Sequence, residues 1–186
     1  MKTPKKLEIL PVLPINNHFP FHFYDMYYEH QKEFRDLEYV DKNEPIETEE
    51  QCIEFFRNCE DSYVNNIIYV DKNPIGFISF QLIDWLDDGK PAMLYIDHLY
   101  IKKQYRQLGF GTLTITSILK ELKSQGAEDT HIFFYILKKN KGAHEFWDKI
   151  MEKLKLRHIE DDRCKVGQEE EFLKEGDKYI IKRIIL

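Results

Sequence analysis

Arg106-Gln107-Leu108-Gly109-Phe110-Gly111-Thr112 joins an apolar run, residues 93–101, to an amphipathic helical pattern. Two glycines one residue apart at a strand-to-helix junction let the backbone curl tightly. A curled backbone turns several N–H groups toward one spot, and the new helix adds the positive end of its dipole. That is an anion site suited to a phosphate or pyrophosphate, with Arg106 as a fixed positive charge at its mouth. The first expectation is therefore a phosphorylated ligand at this loop.

Two other stretches carry chemistry-bearing side chains. Asp97 is a charge inside an otherwise apolar run and needs a partner there, with His98 beside it. The segment from His18 to His30 is dense in aromatics, and Tyr24, Asp25, Tyr28 and Glu29 within it have the makings of a cation-binding aromatic box. The same spacing suits an ordinary helix core with its charges facing water. His18 and His22 stand four apart, but Pro20 lies between them and no acidic ligand pattern follows, so no metal site is expected.

Composition narrows the setting. A chain of 186 residues is expected to form a single domain spanning residues 1–186, able to bury a core without disulfides or metals. Its net charge of −6 argues against nucleic acid as a partner and mildly favours a cationic one. The three cysteines, Cys52, Cys59 and Cys164, form no Cys-x-x-Cys pair and suggest a reducing compartment. Glu8, Pro11 and Pro14 interrupt the apolar run near the N-terminus, so it reads poorly as a secretory leader. No stretch approaches the ~20 apolar residues of a membrane span. A cytoplasmic protein that does not engage membranes is the expectation.

The elements that must position these residues are legible in outline. Residues 7–13 suggest a first strand and 19–39 an aromatic helix. Thr48-Glu49-Glu50-Gln51 is a capping box opening a helix with Cys52, Phe55, Phe56 and Cys59 on one stripe, both cysteines facing the core. Strand-like runs at 66–70 and 75–83 flank an Asp71-Lys72-Asn73-Pro74 turn, and a second turn falls at 87–91. Ile115, Ile118, Leu119 and Leu122 mark a helix over 111–125 that Gly126 ends. Residues 132–137 read as a strand buried on both faces, as a parallel neighbour is. Asn140 caps a helix whose stripe is Ala143, Phe146, Trp147, Ile150, Met151 and Leu154. The last strand is 179–185, with another near 157–165. Its apolar character suits a dimer edge. Glu169-Glu170-Glu171 reads as solvated surface.

The loop fits neither of two well-known phosphate motifs: a dinucleotide fingerprint needs Gly-x-Gly-x-x-Gly near the chain start, and a P-loop ends in Gly-Lys-Ser/Thr. Leu99-Tyr100-Ile101, then Gln104-Tyr105-Arg106-Gln107-Leu108-Gly109-Phe110-Gly111, then Asn140-x-x-Ala143-x-x-Phe146-Trp147, together resemble the GNAT family of acetyl-CoA-dependent N-acetyltransferases over roughly residues 93–156. The resemblance implies an α/β fold with a mixed, mostly antiparallel sheet of about seven strands and helices on both faces. It implies acetyl-CoA as co-substrate, no metal, and a primary amine acceptor, either a small molecule or a peptide amine, attacked directly.

By the same resemblance, backbone N–H groups from Leu108 to Thr112, with Arg106 and Gln107 ahead of them, hold the coenzyme pyrophosphate. Leu99, Tyr100 and Ile101 pair with the pantetheine arm in a slot opened by a bulge and by the splaying of two parallel strands, the second being 132–137. Asn140 lies at the thiol end of the cofactor, with Ala143 and Trp147 in the same segment. Asp97 matches the position of the family's Glu or Asp base, and His98 is the rival base because histidine titrates nearer neutral pH. Asp97 serves equally well as a binding group for a cationic acceptor, or as a solvated carboxylate paired with a neighbour. Relatives often place a Tyr where this chain has Trp147, and that phenol protonates the departing thiolate. Indole does not ionise usefully, so Tyr135, Tyr100 or His144 remain as acid candidates, and Trp147 reads as core. The alternative function is a non-catalytic acyl-CoA-binding or regulatory domain.

Overall fold

The computed structural model describes residues 6–12, 22–37, 45–58, 63–85, 91–126, 130–137, 139–159 and 179–185. In chain order the elements are β1 (Leu7–Pro11), α1 (Phe23–Asp36), α2 (Glu49–Asn58), β2 (Tyr63–Val70), β3 (Asn73–Trp85), β4 (Pro91–Ile101), a 3-10 turn (Lys103–Tyr105), α3 (Phe110–Ser124), β5 (His131–Leu137), α4 (Lys141–Leu154), β6 (Arg157–Ile159) and β7 (Tyr179–Ile185). The seven strands form one sheet in the order β1-β2-β3-β4-β5-β7-β6.

Local chemistry explains the joints. Asp71 and Lys72 both have left-handed φ, 50° and 67°, which gives the two-residue turn whose twist suits the β2–β3 hairpin. The capping box opens α2 as expected: Thr48 N–H donates to Gln51 Oε1 at 2.8 Å and Gln51 N–H to Thr48 Oγ1 at 3.3 Å. Asn140 opens α4 by accepting the Ala143 N–H on its Oδ1 at 3.0 Å. Only β4 and β5 run parallel, and α3 is the crossover that joins them; every other pairing is antiparallel.

Each face of the sheet carries a core. On one side Ile78, Leu94, Ile96, Ile132 and Phe134 pack with Ile115, Leu119 and Leu122 of α3 and Trp147 and Ile150 of α4. On the other, Ile67, Tyr69, Phe77 and Tyr100 pack with Phe23 and Met26 of α1 and Cys52 and Ile53 of α2. Hydrophobic burial on both faces of the central strands matches their near-continuous apolar sequences.

Some expectations are corrected. Phe55 does not face the core; it is 53% exposed, with its ring edge-on to Tyr63 at 6.1 Å, because the buried side of α2 is set by Cys52 and Ile53. The C-terminal strand is not the outermost of the sheet: β5 pairs with the whole of β7 on one side, and β6 with its last three residues on the other. Residues 1–5, 13–21, 38–44, 59–62, 86–90, 127–129, 138, 160–178 and 186 lie outside the described residues. With them fall His18, Cys59, Cys164, the turn at 87–90, the acidic run at 169–171 and the ends of the expected 19–39 helix.

The cap at Asn140 is a stability element. Asn140→Ala is expected to lower stability by about 1 kcal/mol and the melting midpoint by about 2–4 °C, measured by calorimetry.

Candidate functional site

One residue interrupts the central antiparallel pair. Ser79 stands opposite His98 and Phe80 opposite Ile96, so Asp97 has no partner in β3 and forms a bulge. A bulge shifts the two-residue alternation of side chains. Before it, Leu94 and Ile96 face the α3/α4 core; after it, Leu99 and Ile101 do, and Tyr100 joins the α1/α2 core. At the same place β4 leaves its parallel neighbour. Pairing runs from Met93↔His131 to Ile96↔Phe134 and ends there, while β5 continues with β7 to Leu137. A slot therefore opens along residues 97–101, beginning at Asp97.

Beyond the slot, the chain curls into α3. Gln107 has φ 60° and Gly109 φ 85°, both left-handed, and Gly109 is the N-cap of α3 with no side-chain cap. The helical ladder begins at Leu113 N–H to Gly109 O, 3.0 Å; the N–H groups of the turn before it have no intrahelical acceptor and point out of the helix end. A Cβ built at Gly109 meets nothing within 4 Å, so the outer side of the curl is open. Gly111 is required for a different reason: a Cβ there would come within 2.9 Å of Phe146 Cε2, so only glycine lets α3 and α4 approach this closely. The curl, the helix end and the slot together fit a pyrophosphate with an extended arm.

Arg106 is not a free charge at the mouth. Its guanidinium donates to both Glu33 carboxylate oxygens at 2.8 and 2.7 Å, its Nε to Ile101 O at 2.7 Å, and it lies 5.5 Å over the Tyr100 ring. Glu33 belongs to α1, and its charge attracts the nearest fixed cation. Arg106 thereby ties α1 to the end of β4, and one of the carbonyls expected to meet the pantetheine arm is already accepting a hydrogen bond.

On the α1/α2 face the slot meets a polar group of side chains. Gln81 Nε2 donates to Asp97 Oδ2 at 3.3 Å. Burial pushes the Asp97 carboxyl up to about 6, and hydrogen bonds from Tyr63 and Gln81 offset part of that rise. His98 meets His30 of α1, Nδ1 to Nε2, at 3.3 Å. Burial lowers His98 to about 4; His30, lowered well below the ordinary value by burial and by His98 and Arg106, is also neutral. Of the two base candidates, Asp97 titrates nearer neutral pH. His98 meets Tyr27, Phe34 and Phe77 edge-on, and it holds α1 against the sheet.

The other expected residues are distributed as follows. Asp25 and Glu29 line a cavity of about 280 Å³ with Met26, Glu33, Tyr100 and Lys102, but the aromatic box does not close. Tyr24 donates its hydroxyl to Glu47 O at 2.7 Å, and Tyr28 carries Lys32 over its ring. The cavity runs beside Tyr100, away from Asp97. Trp147 does not line the slot: it is 6% exposed and stacked on Phe134 at 3.8 Å, because the apolar stripe of α4 turns inward. Ala143 gives its N–H to Asn140 and that cap leaves none for a ligand. His144 Nε2 is 3.2 Å from Leu137 O at the end of β5. The side chain of Tyr135 lies outside the described residues.

Sequence reasoning missed Tyr63, Gln81 and His30. Polar Ser79 and Gln81 alternate with apolar Ile78 and Phe80 on β3, which marks a face carrying polar groups. That this face meets Asp97 follows from the pairing of Gln81 with Tyr95, two residues before it.

Known proteins give a consistent picture. The model of the Acetyltransferase (GNAT) family matches residues 23–152. No curated protein matches the chain. Among solved structures, an acetyltransferase from Thermus thermophilus is similar over 97% of this chain and 97% of its own, at 13% identity and TM-score 0.62. The diaminobutyrate acetyltransferase of Paenibacillus lautus, in complex with L-2,4-diaminobutyric acid and coenzyme A, is similar over 97% of this chain and 95% of its own, at 13% identity and TM-score 0.58. An aminoglycoside acetyltransferase from an uncultured soil metagenomic sample, in complex with sisomicin, covers 77% of this chain and 86% of its own, at 17% identity and TM-score 0.57. Among the described residues no helix is long and apolar enough to cross a membrane, and no group of three or more His, Cys, Asp or Glu is placed to hold a metal.

The imidazole pair makes stability pH-dependent. His98 is neutral in the fold down to about 4, whereas an unfolded histidine takes up a proton near 6.5. Its contribution is therefore present above 6.5 and is lost as pH falls toward 4, and His30 acts in the same direction. Asp97 opposes them, because its folded carboxyl, at about 6, binds a proton more readily than the unfolded one at 3.8. Two groups outweigh one, so the melting midpoint is expected to fall between pH 6.5 and 4, and His98→Gln to flatten that fall. An unchanged slope in calorimetry would mean that His98 is charged in the folded protein.

Proposed function

Because the chain belongs to the GNAT acetyltransferase family, we propose that it transfers an acetyl group from acetyl-CoA to a primary amine by direct attack, with Asp97 as the base. The observation that carries this reading is the Asp97 carboxyl, held near pKa 6 on the bulge where the slot begins. An alkyl ammonium titrates near ~10.4 and must lose a proton before it can attack. A carboxylate raised to about 6 is a better base than an exposed one and is still ionised at pH 8.

Acetyl-CoA supplies the activated acyl group, a thioester. This chain supplies the positions. The α3 N-terminus behind Gly109 takes the pyrophosphate, and the β4 backbone past Ile96, turned toward no β5 partner, takes the arm and offers N–H groups near the acyl oxygen. The amine approaches from the α1/α2 face, where Asp97 meets it. A small polyamine, a diamino acid or an aminoglycoside suits a face with Asp25 and Glu29 further out, and two of the similar structures hold such amines. A peptide amine is the other acceptor class. Burial of Trp147 gives that residue a packing reason to be there, and its indole supplies no acid for the departing thiolate, the feature that favours a non-catalytic binding domain.

The test is thiol release from acetyl-CoA with putrescine, 2,4-diaminobutyrate and sisomicin. Asp97→Asn is expected to lower kcat/KM at pH 8 by about 100-fold or more, with acetyl-CoA binding by calorimetry unchanged. The same variant is expected to melt higher at pH 8, because above pH 6 the wild type carries a desolvated charge that Asn removes; the gain is of the order of 2 kcal/mol and vanishes at pH 4, where the carboxyl is protonated. Gly109→Val, a branched residue at φ 85°, is expected to weaken acetyl-CoA by about 10-fold or more. Binding without turnover of any primary amine, small or peptide, would identify an acyl-CoA-binding domain instead.

A further inference from the structure

We propose that Tyr63 and Gln81 are positioning residues that hold the Asp97 carboxylate in one orientation on the bulge, facing the acceptor amine. The inference rests on the reading of Asp97 as the base. Tyr63 and Gln81 stand directly opposite each other across β2 and β3, so their side chains lie side by side on one face of the sheet. Gln81 is in turn opposite Tyr95, two residues before Asp97. Gln81 Nε2 reaches Asp97 Oδ2 at 3.3 Å, and the Tyr63 hydroxyl bonds the same carboxyl. The Tyr63 ring is itself steadied by Phe55 of α2, edge-on at 6.1 Å.

The chemistry of the two donors matters. A bulge residue has no backbone partner across the pair, so its side chain needs another restraint. An Arg or Lys would supply it but would also stabilise the charge strongly and weaken the base. A phenol and an amide are neutral: they fix direction while burial keeps the carboxyl basic. The other titratable groups on this face of the sheet include Tyr24, Tyr27 and His30 of α1, Cys52 of α2, Tyr69 of β2, and Tyr95, His98 and Tyr100 of β4, with Glu47 against Tyr27 and Cys52. Burial holds both imidazoles neutral, and it pushes the Tyr27 phenol and the Cys52 thiol up, so these stay neutral too. Arg106, beside Tyr100 on this side, is held by Glu33 and the Ile101 carbonyl, and burial and the two donors are what act on Asp97.

The test follows the Asp97 carboxyl carbon by NMR titration of the full chain labelled in aspartate, with the resonance assigned by its loss in Asp97→Asn. Tyr63→Phe and Gln81→Met each remove one donor to the charged form, so the midpoint is expected to rise by about half a unit or more in each. The acid limb of kcat/KM, with whichever of the three amines turns over, is expected to rise with it, lowering kcat/KM about threefold at pH 5.5. Plateau kcat should fall with KM little changed, because a loose base is misdirected at every pH. A midpoint unmoved in both variants overturns the proposal, whatever happens to activity. A midpoint that rises while the kinetic limb stays put overturns Asp97 as the base, and the catalytic purpose of the two donors with it. The titration needs no acceptor, so it separates a failure of this inference from a failure of the transferase reading.

Discussion

One extra residue in one strand organises this molecule. With Asp97 unmatched between the His98–Ser79 and Ile96–Phe80 pairs, the side chains of β4 exchange faces, and the strand turns away from β5 after Ile96. The sheet is continuous on the hairpin side and open on the parallel side. Without that phase change, Leu99 and Ile101 would leave the α3/α4 core that they help to fill. The slot and the core are thus two consequences of the same irregularity.

The site is built by desolvation more than by charge. Asp97, His98 and His30 all sit where burial disfavours their ionised forms. For the carboxylic acid this means a stronger base; for the imidazoles it means neutrality and a mutual hydrogen bond. The strong cation nearby, Arg106, is spent on Glu33 and on the Ile101 carbonyl rather than on Asp97. That separation matters, because a guanidinium beside Asp97 would lower its pKa and make its carboxylate a weaker base.

Helix α1 is held from two directions that meet the site at different points. His30 meets His98 next to the bulge, and Glu33, one turn on, meets Arg106 at the start of the curl. The α1 wall beside the bulge and the curl before α3 are therefore coupled through one helix. The cavity lined by Asp25, Glu29 and Glu33 lies along the same helix.

Much of this was legible in the sequence, for reasons of local physics. Periodicity marked the strands and helices, Gly109 marked the curl, Asn140 and Thr48 marked their caps, and a lone carboxylate in an apolar run marked Asp97. Each of these signals lies within a few residues of what it controls. What tertiary structure alone decided depends on partners far apart in the chain. Arg106 bonds Glu33, 73 residues away; His30 meets His98 across 68; Gln81 reaches Asp97 across 16. The direction in which Trp147 points, the interior place of β7 and the face on which Asp97 emerges all follow from register and packing. A one-residue shift of register inverts those faces, and the sequence of a single strand does not record which residue its neighbour leaves unpaired.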